Sequence, residues 1–392
     1  MRLNRLCELD RVLHSIPEIG MEEYKTADFI RRTLEENGIA YEAAGGTGTL
    51  VYFKGRRDEV IAFRADIDAL PLADNSHHIS PSVNKGFSHA CGHSAHTSAL
   101  LETILQVDEG IREGKVLEKS LLFIFQPGEE GCGGARYVIG DEVFEKYRER
   151  IECFFATHVN PEMDEGRVAV REGYVSAQNV NIEWDIEGQG CHGAQPHTGI
   201  DIVVVTSELI GAYQTIRSRN VHPDDMYLFT IGKFLTGSKV DGVFQPGGAR
   251  NIIPNNIQLE GTIRMYDSKY IDISRERIEA LNRGYEEAYG IKIHMDFKPN
   301  YPAMVNDAGL YGDMVEVLEE LGIEAEESKK MTGSEDFSFY RDIAPTFMFL
   351  TGTRNVEEGH TAALHNPAFG YTSKALETIV RVYHGLIQQK AM

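Results

Sequence analysis

Cysteine is scarce in this chain: five among 392 residues, at Cys7, Cys91, Cys132, Cys153 and Cys191. So few, and odd in number, they make no disulfide framework, and a reducing cytoplasm is the expected setting. Basic residues are outnumbered, 39 Lys and Arg against 60 Asp and Glu, for a net charge of −21. That balance argues against nucleic acid and anionic membrane surfaces as partners. The charge serves solubility, and an anionic substrate would need a local cationic pocket. No apolar run approaches the roughly 20 residues of a membrane span. No basic start leads into an apolar segment, so no secretory signal is expected. Internal repeats and low-complexity stretches are missing too. What remains is 42% hydrophobic and 25% charged residues, an ordinary globular composition in a chain long enough for two cores.

Short apolar runs dominate the first part: TLVYFKG, VIAFRADI, SLLFIFQP and ECFFATHV. Before them, EEYKTADFIRRTLEENG reads as a helix with Ala27, Ile30 and Leu34 on one face and Gly38 as its stop. Continuously apolar strands between helices predict a largely parallel, buried sheet. Near residue 175 the texture changes. NVNIEWDIEG alternates Val180, Ile182, Trp184 and Ile186 with polar residues, the pattern of an antiparallel strand buried on one face. A helix, two strands and a second helix follow, which together make a small α+β layer. After residue 294 the first texture returns. The expectation is an α/β chain whose parallel-sheet domain (residues 1–174 and 294–392) is interrupted by a smaller α+β domain at 175–293.

The chemistry-bearing residues gather at strand ends and the loops after them, where sites of α/β sheets form. Asp66 and Asp68 close VIAFRADI, Glu129 and Glu130 follow SLLFIFQP, His158 closes ECFFATHV, His365 lies in a late loop, and HACGH precedes a helix. Alone, the Cys91-Gly92-His93 triplet is equally a buried cysteine beside a helix cap, and each lone histidine is more often structural. A redox role fits less well, because no second cysteine stands at C-x-x-C spacing. Taken together, Cys91, His93, Glu130, His158 and His365 are five metal-competent side chains. That is too many for one four-coordinate zinc with an open position, and suits two metals sharing a water. Of the adjacent Glu129 and Glu130, one can bind metal while the other takes a proton from that water, and Asp68 could orient a ligand histidine. In the interrupting domain His192 could donate to an oxyanion, and Arg264 could hold a carboxylate.

RADIDALPL, HACGH-x-x-H, FQPGEEGCGGA, THVNP, CHGAQPH, ARNIIP, GTIR, TGSEDFSFY and LHNPAF occur in this order. With these motifs the chain resembles the metal-dependent aminoacylase and auxin-conjugate amidohydrolase family, which includes N-acyl-amino-acid amidohydrolases and hippurate hydrolases. It is similar, more distantly, to carboxypeptidase G-type metallopeptidases. The resemblance implies a two-metal catalytic domain and an inserted lid domain through which the protein dimerises. It implies Cys91, His93, Glu130, His158 and His365 as ligands of two divalent metals (zinc, manganese, cobalt or nickel). Glu129 is implied as general base, Asp68 as supporting carboxylate, and His192 as the lid histidine that completes the site. Asn251 and Arg264 match positions that help hold the substrate carboxylate. The chain departs from the family at Ser94, where aspartate is usual, and at Gly128, where alanine is usual. Ser94 can still cap the following helix. The loop DNSHHISPSVNKGF is also unusual, and its His77 and His78 read as surface residues.

The expected reaction is hydrolysis of an N-acyl amino acid by a metal-bridging water, giving a carboxylic acid and a free amino acid. Lid closure would swing about hinges near residues 175 and 293. A metallo-dipeptidase or exopeptidase on the same scaffold, and a catalytically silent metal-binding relative, are the alternatives.

Overall fold

The structure, a computed structural model, describes residues 3–76 and 80–392, so His77 and His78 lie outside the described residues. The chain forms two compact units. One is built from residues up to Val175 with Val305–Lys330 and Asp336–Met392, the other from Ser176–Met304 with Met331–Glu335.

The first unit centres on an eight-stranded sheet. Its four middle strands, in the order Ser120–Gln126, Val60–Asp66, Ile151–Asp164 and Thr346–Arg354, run parallel. Two of them, VIAFRAD and SLLFIFQ, are buried along their whole length, which explains their lack of apolar/polar alternation. The helix His93–Arg112 packs against this sheet and against the helices Leu3–Ser15 and Ser373–Ala391. The first of these carries Leu6, Leu9 and Leu13 into the core. The parallel arrangement places the chain's turns after Asp66 and Gln126 at one edge, and there the site residues sit. The strand ECFFATHV continues past His158 to Asp164, so His158 lies within the strand and not at its end.

The second unit is a five-stranded antiparallel sheet covered by the helices Ile202–Asn220 and Lys269–Tyr289. Val180, Ile182, Trp184 and Ile186 are buried on one face, as their alternation predicts. This unit reaches beyond residue 293. The strand Lys292–Pro299 pairs along Gln178–Glu187, with Ile293 opposite Ile186, so residue 293 lies inside a ladder and cannot act as a hinge. Among the described residues no helix is long and apolar enough to cross a membrane.

Candidate metal centre

Gly92 opens the site. Its φ of +84° is left-handed, and a Cβ there would come within 2.4 Å of Val159 Cγ2, so only glycine fits between Cys91 and His93. Gly92 is also the N-cap of the helix that begins at His93, and no side chain caps it. This corrects the expectation for Ser94. Ser94 is inside the first helical turn, fully buried, and its hydroxyl meets Tyr371 Oη at 2.6 Å and His14 Nδ1 at 3.1 Å instead of a backbone N–H. Gly128, ahead of the glutamate pair, has φ +62°, and a Cβ there would sit 2.8 Å from Met21 Sδ.

The five ligand-type side chains converge. Cys91 Sγ lies 3.5 Å from His158 Nε2, and His365 Nε2 lies 3.3 Å from Glu130 Oε1. Donor atoms of Cys91, His93 and His158 fall within 4.8 Å of one another, as do those of Cys91, Glu130 and His365. A third such group joins His93 to Glu129 and Glu130. His365 adopts φ +59°, rare for a residue with a side chain, and its N–H donates to Ala90 O at 2.8 Å. That bond ties its loop to the HACGH segment and offsets the backbone strain.

Two of the imidazoles are oriented from behind. His158 Nδ1 faces Val159 O at 2.8 Å, and His93 Nδ1 faces both the carbonyl and Oδ1 of Asp68 at 3.0 Å. Both histidines therefore present Nε2 to the cluster. The other Asp68 oxygen accepts the Glu130 N–H at 2.8 Å, so one fully buried carboxylate fixes two ligand positions. Glu129 is buried too, at 7% exposure.

The electrostatics fit a cation. Burial works against charge on His93, but Asp66, Asp68 and Glu130 outweigh it and raise its pKa to about 10. Burial, reinforced by Glu130 and Glu129, holds the Cys91 thiol well above its ordinary range. The Glu130 hydrogen bond raises His365. Burial would raise Glu130, yet His365 and His93 keep it below the ordinary carboxylate value. The positive charge favoured on His93 offsets the buried carboxylates around it, and divalent cations would offset them equally. One further atom points the same way. His93 Nε2 is buried with no hydrogen-bond partner among the described residues. One thiol, three imidazoles and a carboxylate form a donor set suited to zinc and related divalent metals.

Two groups were not singled out as site residues from the sequence. Asp66, given only a minor part, bonds His96 Nδ1 at 2.6 Å and lies 3.6 Å from His93 Nε2. Glu23, fully buried, accepts the Gly128 N–H at 2.8 Å ahead of the glutamate pair. Glu22 and Glu23 stand at the start of a segment whose pattern marks only a helix, so nothing local singles Glu23 out.

The residues expected to contact substrate belong to the second unit. His192 is exposed on a two-residue strand paired with Ile252–Ile253, and its Nδ1 accepts the Ala194 N–H at 3.1 Å. Asn251 is exposed, and its carbonyl accepts the Gly193 N–H at 2.8 Å. Arg264 is partly buried and donates to Ser334 Oγ at 2.8 Å. Burial lowers its pKa, and no carboxylate pairs with it among the described residues.

The model of peptidase family M20/M25/M40 matches residues 62–389. An N-acetyldiaminopimelate deacetylase of Bacillus licheniformis is 34% identical over 395 residues, covering 100% of both chains. The Bacillus pumilus protein of the same name is 35% identical and covers 99% of each chain. Among solved structures, a dinuclear metal binding peptidase from Bacillus subtilis superposes with a TM-score of 0.82 at 28% identity, covering 98% of this chain and 97% of that one.

Proposed function

Because the chain belongs to peptidase family M20/M25/M40 and is a metal-dependent hydrolase of that family, we propose that it cleaves the amide bond of N-acyl amino acids. The observation that carries this reading is the clustering of Glu129 with His93 and Glu130, in contact with the remaining ligand-type residues. Under this proposal Cys91, His93, Glu130, His158 and His365 hold two divalent cations. Such cations supply a lowered water pKa and a polarised carbonyl.

The residues of the chain do the rest. Glu129 takes a proton from the water that adds to the carbonyl carbon, and passes it to the nitrogen as the C–N bond breaks. The products are a carboxylic acid and a free amine. Asp68 keeps His93 and Glu130 in register throughout. His192 donates to the developing oxyanion. Arg264, half-buried and without a carboxylate partner, takes the substrate carboxylate in the bidentate geometry a guanidinium favours, with Asn251 beside it.

N-Acetylated amino acids are the substrates of choice, supported by two relatives named N-acetyldiaminopimelate deacetylase. The test is a hydrolysis screen. Chelated protein is given zinc, manganese, cobalt or nickel in turn, and offered N-acetyl and N-benzoyl amino acids, N-acetyldiaminopimelate and a panel of dipeptides. Turnover confined to N-acyl amino acids is expected. Faster dipeptide cleavage would make it an exopeptidase, and metal binding with no turnover a silent relative. Assembly as a homodimer through the Ser176–Met304 unit belongs to the same proposal, and sedimentation velocity checks it.

A further inference from the structure

The strand VIAFRAD is apolar except at its end and at Arg64, whose side chain is fully buried in the middle of the sheet. A buried guanidinium is costly unless its donors are matched. Here Nη1 donates to Asp66 Oδ2 at 2.7 Å, Nη2 to Asp336 Oδ1 at 2.7 Å and Nε to Gln126 Oε1 at 3.0 Å. We infer that Arg64 is a positioning residue of the metal centre, a cationic hub that fixes the strand bearing His158 and the turn bearing the glutamate pair relative to the strand end beside His93.

Two arms lead from it to the site. In the first, Asp66 Oδ1 meets His96 Nδ1 at 2.6 Å, and His96 Nε2 accepts the Val159 N–H at 3.0 Å. Since Nε2 accepts, Nδ1 carries the proton and donates to Asp66. The arm therefore ends on the backbone next to His158, while the same Asp66 carboxylate lies 3.6 Å from His93 Nε2. In the second, Gln126 Nε2 donates to both oxygens of Asp336 at 2.9 Å, and Asp336 Oδ2 accepts the Ala135 N–H at 3.0 Å. Gln126 and Ala135 bracket the turn that carries Glu129 and Glu130. One planar group thus holds the strand end beside His93, the strand bearing His158 and the turn bearing the glutamate pair. Lysine could supply the charge, but its single ammonium could not make three bonds in these fixed directions.

The inference rests on the proposed ligand assignment, so the experiment separates the two. Purified full-length wild type, Arg64→Lys, Asp336→Asn and His93→Ala are stripped of metal, then titrated with Zn²⁺ in competition with a chromogenic chelator. Melting temperatures are recorded in parallel on the stripped proteins. Arg64→Lys is expected to bind Zn²⁺ about 10- to 100-fold more weakly than wild type, the usual scale for groups that orient ligands. Asp336→Asn, which keeps the Arg64–Asp66 pair, is expected to lose less. A lowered melting temperature with unchanged Zn²⁺ competition in Arg64→Lys would make Arg64 a stability element only and overturn the inference. Should Arg64→Lys fail to fold, Asp336→Asn decides by the same criterion. Undiminished Zn²⁺ binding in His93→Ala would overturn the ligand assignment, and the inference with it.

Discussion

The two units treat their proposed site residues in opposite ways. In the first, the ligand-bearing segments are tied by hydrogen bonds: Asp68 to His93 and Glu130, Val159 O to His158, Ala90 O to the backbone of the exposed His365. In the second, His192 and Asn251 are exposed, and Arg264 has one serine partner. The difference tracks the chemistry asked of each set. Ligands must be fixed before a cation arrives, because reorganising buried carboxylates afterwards would be costly. Residues that meet a passing substrate need spare hydrogen-bonding capacity instead. Pre-organisation in one unit and spare capacity in the other give the comparison measurable consequences.

The largest effect belongs to Glu129. Glutamine preserves its shape and burial but cannot take a proton. Glu129→Gln should lower kcat on an N-acetyl amino acid roughly a thousandfold, within the range of general acid–base contributions, while metal stoichiometry by mass spectrometry stays at the wild-type value. A rate within tenfold of wild type would remove Glu129 from the mechanism. Next comes Asp68→Ala, which breaks the bond to His93 and the bond to the Glu130 N–H together. Metal affinity should fall about 10- to 100-fold. If it does not, the locking seen in the first unit is not what holds metal there.

The sequence carried one side of this comparison better than the other. Cys91, His93 and the glutamate pair were readable because ligand chemistry imposes close spacing on them. Arg64 was not, since its partner Asp336 is 272 residues away and no local pattern links the two. Asp66 is hard to place for a milder version of the same reason, since its histidine partner His96 is 30 residues away. The helix Leu3–Ser15 carries a local signal in the spacing of Leu6, Leu9 and Leu13, all three buried. The domain limit at 293 failed because KIHMDFKP is an edge strand, partly or fully exposed along its length, that shows no clean alternation. Ser94 does not act as a cap because the helix starts two residues earlier than a cap at 94 requires, at His93, which the sequence cannot show.

Arg264 tests the second unit. A charged hydrogen bond contributes about 1.5–3 kcal/mol, so Arg264→Met should lower kcat/KM on N-acetyl amino acids by roughly 10- to 100-fold. The matching N-acetyl amino acid amides, which lack the carboxylate, should be cleaved slowly by wild type and variant alike. An equal loss on both substrate series would mean that Arg264 supports the fold and not the substrate.

The smallest effect on the metal centre is expected at Ser94, although it stands next to His93. Its hydroxyl is committed to Tyr371 and His14, neither of them a ligand, and Tyr371 donates onward to Asp10 Oδ1 at 2.7 Å. All four side chains are buried. A carboxylate at position 94 would therefore join Asp10 around a single tyrosine hydroxyl, which has one proton to give. Ser94→Asp should leave Zn²⁺ affinity within about twofold of wild type but destabilise the fold by about 1–3 kcal/mol, the cost of a buried polar group poorly matched to its surroundings. Adding Asp10→Asn should recover part of that loss, since it removes the second carboxylate while leaving an amide oxygen for Tyr371. The double-mutant cycle in urea measures the coupling directly. Altered Zn²⁺ affinity with no loss of stability would instead turn residue 94 toward the metals, and extend the locked set of the first unit by one more position.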